Sequence, residues 1–196
     1  GIGGNGDLGN AIRTYAGGDL GAFFGKRFAG FSSTGDWLFY KADGTAVPAA
    51  QITDADRTFI GNGIPKYYAS WTNNFKYKQI DLTIFLRGKF DYDVLNTTQL
   101  TYGNKRSLPN NVLTDAFTTH AQLNGPYHYS DYYLESGSFV KVDNITLGYN
   151  FNIKGTFIRN LRVYANARNV ATITGYNGLD PEVEDNGLAP GIESRG

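Results

Sequence analysis

The stretch NNFKYKQIDLTIFLRGKF, residues 73–90, alternates apolar and polar side chains, and its parity reverses once. Phe75 and Tyr77 stand at odd positions, whereas Ile80, Leu82, Ile84 and Leu86 stand at even ones. Successive side chains of an extended strand point to opposite faces, so each half is a ribbon with one oily and one polar side. A tight hairpin at Lys78-Gln79 accounts for the reversal, because the turn resets which positions share a face. Upstream, Tyr67, Ala69 and Trp71 continue the apolar side of the first ribbon, while Tyr68, Ser70, Thr72, Asn74 and Lys76 form its other side. No Asn-Gly pair marks the turn, so its type stays open.

Two more ribbons are legible. From Phe139 to Phe151, Val140 and Val142 are even and Ile145, Leu147, Tyr149 and Phe151 are odd, a slip that predicts a bulge at Asp143-Asn144. From Leu161 to about Thr172, Leu161, Val163, Ala165 and Ala167 oppose Arg162, Tyr164, Asn166 and Arg168. A further strand is expected from Asp19 to Phe31, punctuated by Gly21, Gly25 and Gly30. Residues 32–66 and 91–136 read as long loops, 152–160 as a modest turn, and the tail from Gly175 as a loop. Ribbons of about 11 residues reach about 36 Å, which a tilt near 40° converts to about 28 Å of membrane thickness. Strands of soluble domains average about half that length. Long and short connections alternate, and strict alternation suits a wall with lipid on one side and a wet lumen on the other. The expected class is all-β: an antiparallel transmembrane β-barrel segment, with short periplasmic turns and long extracellular loops.

Composition narrows the alternatives. The formal net charge is zero, which removes the basic field that nucleic-acid binding uses. There is no Cys, so disulfides, thiolate metal sites and Cys nucleophiles are excluded together. Abundant Tyr (14), Phe (13) and Gly (25) favour strands and tight turns over helices. The lack of Met together with Gly1 at the start suits a processed or partial chain. No apolar run approaches the roughly 20 residues of a spanning helix, which leaves barrel strands untouched.

Three stretches carry a resemblance: DADRTFIGNGIPKYYASWTNNFKYKQIDLTIFLRG (54–88), YYLESGSFVKVDNITLGYNF (132–151) and LRVYANARNVATITGYNGLDPEV (161–183). In this order and spacing they resemble the C-terminal barrel region of the SusC/RagA family of TonB-dependent outer-membrane transporters. The resemblance implies a barrel of about 22 strands around a plug, of which about five strands fall here. It further implies an outer-membrane location in a Gram-negative bacterium, coupling to the TonB complex through an N-terminal region, and a SusD-like surface lipoprotein as partner. The implied solute is an oligosaccharide, the usual cargo, or a peptide as in some members. Plug and terminal strand are expected to lie outside residues 1–196. Many members carry an Asp-rich calcium-like run before their D-x-D-R segment; here only Asp43-Gly44 and Asp54-x-Asp56 remain, suited to turn and capping duties.

Candidate site residues sort by chemistry. Trp37, Tyr40, Tyr127 and Tyr129 offer aromatic faces for a solute or partner, while Tyr132 and Tyr133 suit an interfacial girdle. Lys76, Asp81, Arg87, Lys141, Arg162 and Arg168 carry the parity of the wet side and are expected to pair with one another or with a plug. No metal, cofactor or catalytic set is expected. Gly1, Gly3 and Gly6 form a G-x-G-x-x-G match without a preceding strand or a following helix. His120 and His128 lack metal-pair spacing and suit loop hydrogen bonding. Ser136-Gly137-Ser138 is no nucleophile elbow, and Asp180 and Glu182 flank Pro181 as a loop feature. Asn96-Thr97-Thr98 and Asn144-Ile145-Thr146 fit a glycosylation pattern that has no meaning in a bacterium. A soluble carbohydrate-binding β-sandwich is the alternative reading; it would pack Ile80, Leu82, Ile84 and Leu86 against a second sheet. A β-rich glycosidase, third, would need paired carboxylates on opposing strands.

Overall fold

The structure, a computed structural model, describes residues 8–123, 125–153, 155, 157, 158, 160–183 and 190–193. The Gly1-Gly3-Gly6 match lies outside them. The strands are β1 (Ala22–Gly25), β2 (Arg27–Phe31), β3 (Trp37–Tyr40), β4 (Ala46–Pro48), β5 (Thr58–Asn62), β6 (Tyr67–Tyr77), β7 (Ile80–Phe90), β8 (Asp93–Leu95), β9 (Leu134–Ser136), β10 (Phe139–Asn152) and β11 (Asn160–Thr174), with one short helix, α1 (Thr97–Tyr102). They fall into two compact units, residues 66–91 with 138–175, and residues 1–65 with 92–137 and 176–196.

The first of these units is a four-stranded antiparallel sheet in the order β11-β10-β7-β6. The hairpin is where the alternation put it: Tyr77 pairs with Ile80, Phe75 with Leu82 and Trp71 with Leu86, so odd positions of β6 share a face with even positions of β7. Lys78 turns the chain with a left-handed φ of 52°. The face continues through Leu147 opposite Leu82 and Ile145 opposite Ile84, then through Val163 opposite Tyr149 and Ala165 opposite Leu147. The predicted bulge is present. Val142 and Asn144 flank Asp143 on β10, yet their partners Leu86 and Phe85 are adjacent on β7, so Asp143 is the extra residue. The β6–β7 turn and the β10–β11 connection lie at the same end of the sheet, where Gln79 O accepts from Asn150 N at 2.8 Å.

The second unit has its own core and three small antiparallel sheets, β1-β5, β2-β3-β4 and β8-β9. Here the expectation for Asp19–Phe31 fails. That segment is no fifth strand of the long sheet but two short strands in different small sheets: β1 pairs with β5 and β2 with β3. The segments read as long loops are also structured, holding β3, β4, β5, β8, α1 and β9. Strands of three to five residues are too short to show a period. Asn96 caps α1 by accepting from Gln99 N at 2.7 Å. Phe23, Trp37, Phe39, Leu95, Leu100, Tyr129 and Tyr133 form the buried cluster that holds the unit together.

Candidate functional site

Two faces of the long sheet and one aromatic cluster contain the residues singled out from sequence. Parity places Lys76, Asp81, Arg87, Lys141, Arg162 and Arg168 on one face, and the register agrees: Lys76 pairs with Asp81, Lys141 with Arg87, and Arg162 and Arg168 with the same-face Asn150 and Asn144. Asp81 is the hub at the turn end. Arg162 Nε donates to its Oδ1 at 3.1 Å, a second guanidinium nitrogen donates to Oδ2, and Asn150 Nδ2 donates to Oδ1 at 2.9 Å. The bulge has an electrostatic use. Arg87 and Lys141 are like charges in direct register, a destabilising placement, and Asp143 brings a carboxylate 3.0 Å from Arg87 Nε. Between these poles runs an uncharged ladder in which Asn166 Nδ2 donates to Asn144 Oδ1 at 2.6 Å and to Thr146 Oγ1 at 2.7 Å.

The opposite face is apolar and bare. Trp71 is 60% exposed, Ile80 44%, Leu147 51% and Val163 55%, and Leu82, Ile84 and Leu86 on the inner strand are half-buried, so among the described residues no second sheet seals this face. A sandwich would have buried this face, and the alternative reading loses its structural requirement. An uncovered apolar area of this extent marks an interaction surface with lipid or protein.

The aromatic candidates behave differently. Trp37 and Tyr129 are 3% and 1% exposed, which corrects their assignment as free stacking faces: both are core. Trp37 stacks on Phe39 at 5.9 Å and meets Tyr132 edge-on at 5.2 Å; the Tyr129 hydroxyl donates to Ala11 O at 3.2 Å. Tyr127 is partly buried against the same cluster. Tyr40 is exposed, with the Arg27 guanidinium 5.7 Å from its ring centre. Tyr133 is buried and Tyr132 packs against Phe28 at 4.7 Å, so neither forms an interfacial girdle. Burial pushes the Tyr133 hydroxyl far above its ordinary range.

Of the two histidines, His120 makes a side-chain hydrogen bond within the loops, and His128 packs against aromatic rings. His120 Nδ1 shares a hydrogen bond with the Tyr132 hydroxyl, and His128 meets Trp37 and Phe39 edge-on. Burial lowers the His120 pKa against the opposing pull of Asp115 and Glu135. The carboxylates of the D-x-D segment do turn and cap work. Asp56 Oδ2 accepts from Thr53 N at 2.9 Å, Asp43 Oδ1 from Thr45 N at 2.8 Å, and Asp54 pairs with Arg57 at 3.2 Å. These hydrogen bonds hold Asp43 and Asp56 below the usual carboxylate range. Asp180 Oδ1 accepts from Glu182 N at 2.8 Å, a loop contact. Among the described residues no group of three or more His, Asp or Glu side chains is placed to hold a metal ion. Sequence reasoning missed Gly148, which sits directly opposite Asp81; a glycine on the wet side of an otherwise polar strand was the available signal.

No family model matches the chain. Among curated proteins it is 28% identical over 164 residues to TonB-dependent receptor P3 of Formosa agariphila, which covers 79% of this chain and 16% of the relative. It is 35% identical over 127 residues to TonB-dependent receptor SusC of Bacteroides thetaiotaomicron, covering 58% of this chain and 12% of the relative. The RagAB peptide transporter structure aligns with a TM-score of 0.67 at 25% identity, over 82% of this chain and 20% of that one. A RagAB peptide importer structure in its open-open state aligns at 0.68 and 21% identity, a likeness of fold. The chain thus spans between 12% and 20% of the length of these proteins. In sequence and fold the chain is similar to a segment of SusC/RagA-type TonB-dependent receptors, and its antiparallel strands match part of their barrel fold.

Proposed function

We propose that this chain is part of the wall and loops of a TonB-dependent importer in the outer membrane of a Gram-negative bacterium. The observation that carries it is the two-faced sheet: long strands, an uncovered apolar side, and a polar side cross-linked by Asp81–Arg162 and Arg87–Asp143. Such a sheet is matched to lipid outside and water inside. In this reading β6 and β11, the outer strands of the order β11-β10-β7-β6, pair with the remainder of the same barrel, since unpaired edges are not tolerated in hydrocarbon. Lys76 and Arg168 face the lumen or a plug along with Asp81, Arg87 and Arg162, whereas Lys141, on the same face, is buried. Tyr40 and Tyr127 stay as candidate contacts for solute or cap.

The finer statements rest on the relatives. A SusD-like lipoprotein would cap the loop unit, the TonB complex would engage the receptor outside this segment, and the solute would be an oligosaccharide or a peptide. No side chain of this segment performs chemistry in this mechanism; it lines, seals and holds. The test is made on the receptor that contains this chain. It should fractionate with outer membranes, migrate as a heat-modifiable barrel, and support solute uptake that stops when TonB is deleted. Recovery as a detergent-free soluble protein would overturn the reading.

A further inference from the structure

The loop unit contains a cavity of about 780 Å³ that no part of the sheet's wall role uses, lined by Ser33, Thr34, Asn104, Lys105, Arg106 and Gln122 among others. Among the described residues its lining carries two cations, amide and hydroxyl groups, and no carboxylate. The frame is built rather than incidental. Asn104, buried in the loop unit, donates from Nδ2 to Gly125 O at 2.9 Å and accepts Arg106 N on Oδ1 at 2.9 Å, which clips the cationic rim to Gly125. Lys105 Nζ is occupied, donating to Ala121 O at 3.2 Å and lying 5.7 Å from the Phe117 ring centre. Arg106 is exposed, and among the described residues its guanidinium has no acceptor. Asp36, the nearest carboxylate in sequence, accepts the Thr34 hydroxyl at 2.6 Å on the turn beside the cavity.

We infer that this cavity is a binding site for a carboxylate group of the imported solute, with Arg106 as its charged anchor. The inference deepens the importer reading and rests on it. A guanidinium presents a planar fork that matches a carboxylate in two parallel hydrogen bonds, and such charge-assisted bonds are about twice as strong as neutral ones. Lys105 adds a fixed positive charge, and the Ser33, Thr34 and Gln122 groups suit the polar atoms around the carboxylate. Two solute classes carry that group, a peptide with a free C-terminus and an acidic glycan.

The experiment uses the detergent-solubilised full receptor and four probes: tetra-alanine, tetra-alanine amide, trigalacturonate and its methyl ester. Calorimetry should show tighter binding of at least one acid than of its neutral counterpart, and which acid it is identifies the source. Arg106→Gln should weaken that acid by roughly tenfold while leaving the neutral probes unchanged, and Arg106→Lys should restore part of the loss. A receptor that forms a heat-modifiable barrel but binds acids and neutral probes alike, or is indifferent to Arg106→Gln, overturns the inference and leaves the importer reading standing. A chain that never inserts into the membrane overturns the importer reading and this inference with it.

Discussion

Arg162 on β11 reaches diagonally across β10 to Asp81 on β7, passing over Gly148, the register partner of Asp81, beside its own partner Asn150. A Cβ at Gly148 would lie 2.5 Å from Asp81 Oδ2 and 2.6 Å from Arg162 Nη2. The glycine therefore clears the lane in which the ion pair forms. The obstructed atoms are ends of flexible side chains, so a substitution there should displace the pair and spare the strand. Gly148→Ala is expected to leave the barrel heat-modifiable on gels. In a double-mutant cycle, Asp81→Asn should cost less stability in the Gly148→Ala background than in the wild type. Equal costs would mean that the glycine and the pair are independent.

The bare face gives a test that separates lipid from water. Leu147 is 51% exposed, so in water Leu147→Arg would be nearly free. Against lipid it should cost about 2–4 kcal/mol near the bilayer midplane, read by urea titration of the full receptor in vesicles. Thr72→Arg, on the exposed polar face of β6, should cost close to nothing in the same assay.

The loop unit should respond as a core does. Trp37→Ala removes a ring stacked on Phe39 and 3% exposed, and is expected to destabilise the unit by about 3–5 kcal/mol. Hydrogen exchange should then show lost protection across β2, β3 and β4. Tyr40→Ala, at an exposed position, should change stability by less than about 0.5 kcal/mol. If Trp37→Ala instead left protection intact and changed affinity for one solute, Trp37 would be a contact after all.

His120 predicts a pH response of fixed sign. Burial lowers its pKa below the ordinary 6.5, so the unfolded chain takes up the proton first as pH falls. Stability is full above about 6.5 and declines as pH drops from there through the lowered folded value. Limited proteolysis of the loop unit should be faster at pH 5.5 than at 7.5, and His120→Gln should shrink that difference. Faster cleavage at the higher pH would contradict the burial argument.

What could be read from the chain, and what could not, divides between the two units. Alternation with a period of two is a local signal, and over 11 to 15 residues it is long enough to be unmistakable. It gave the Lys78-Gln79 hairpin, the bulge at Asp143, both faces of the sheet and the common face of six charged residues. It failed at Asp19–Phe31, because the glycine-broken stretch supports two short strands whose partners, β5 and β3, are chosen by distant contacts. It failed likewise for Trp37, buried by Phe28, Phe39 and Tyr132, and for Tyr129, beside Ala11 and Gly25, since no periodicity links these neighbours. The sequence by itself determined a two-faced ribbon, since each residue's side is set by its own place in the alternation. Only the tertiary structure decided which aromatics are interior and that Gly148 opens the way from Arg162 to Asp81, since those depend on three strands meeting at one point.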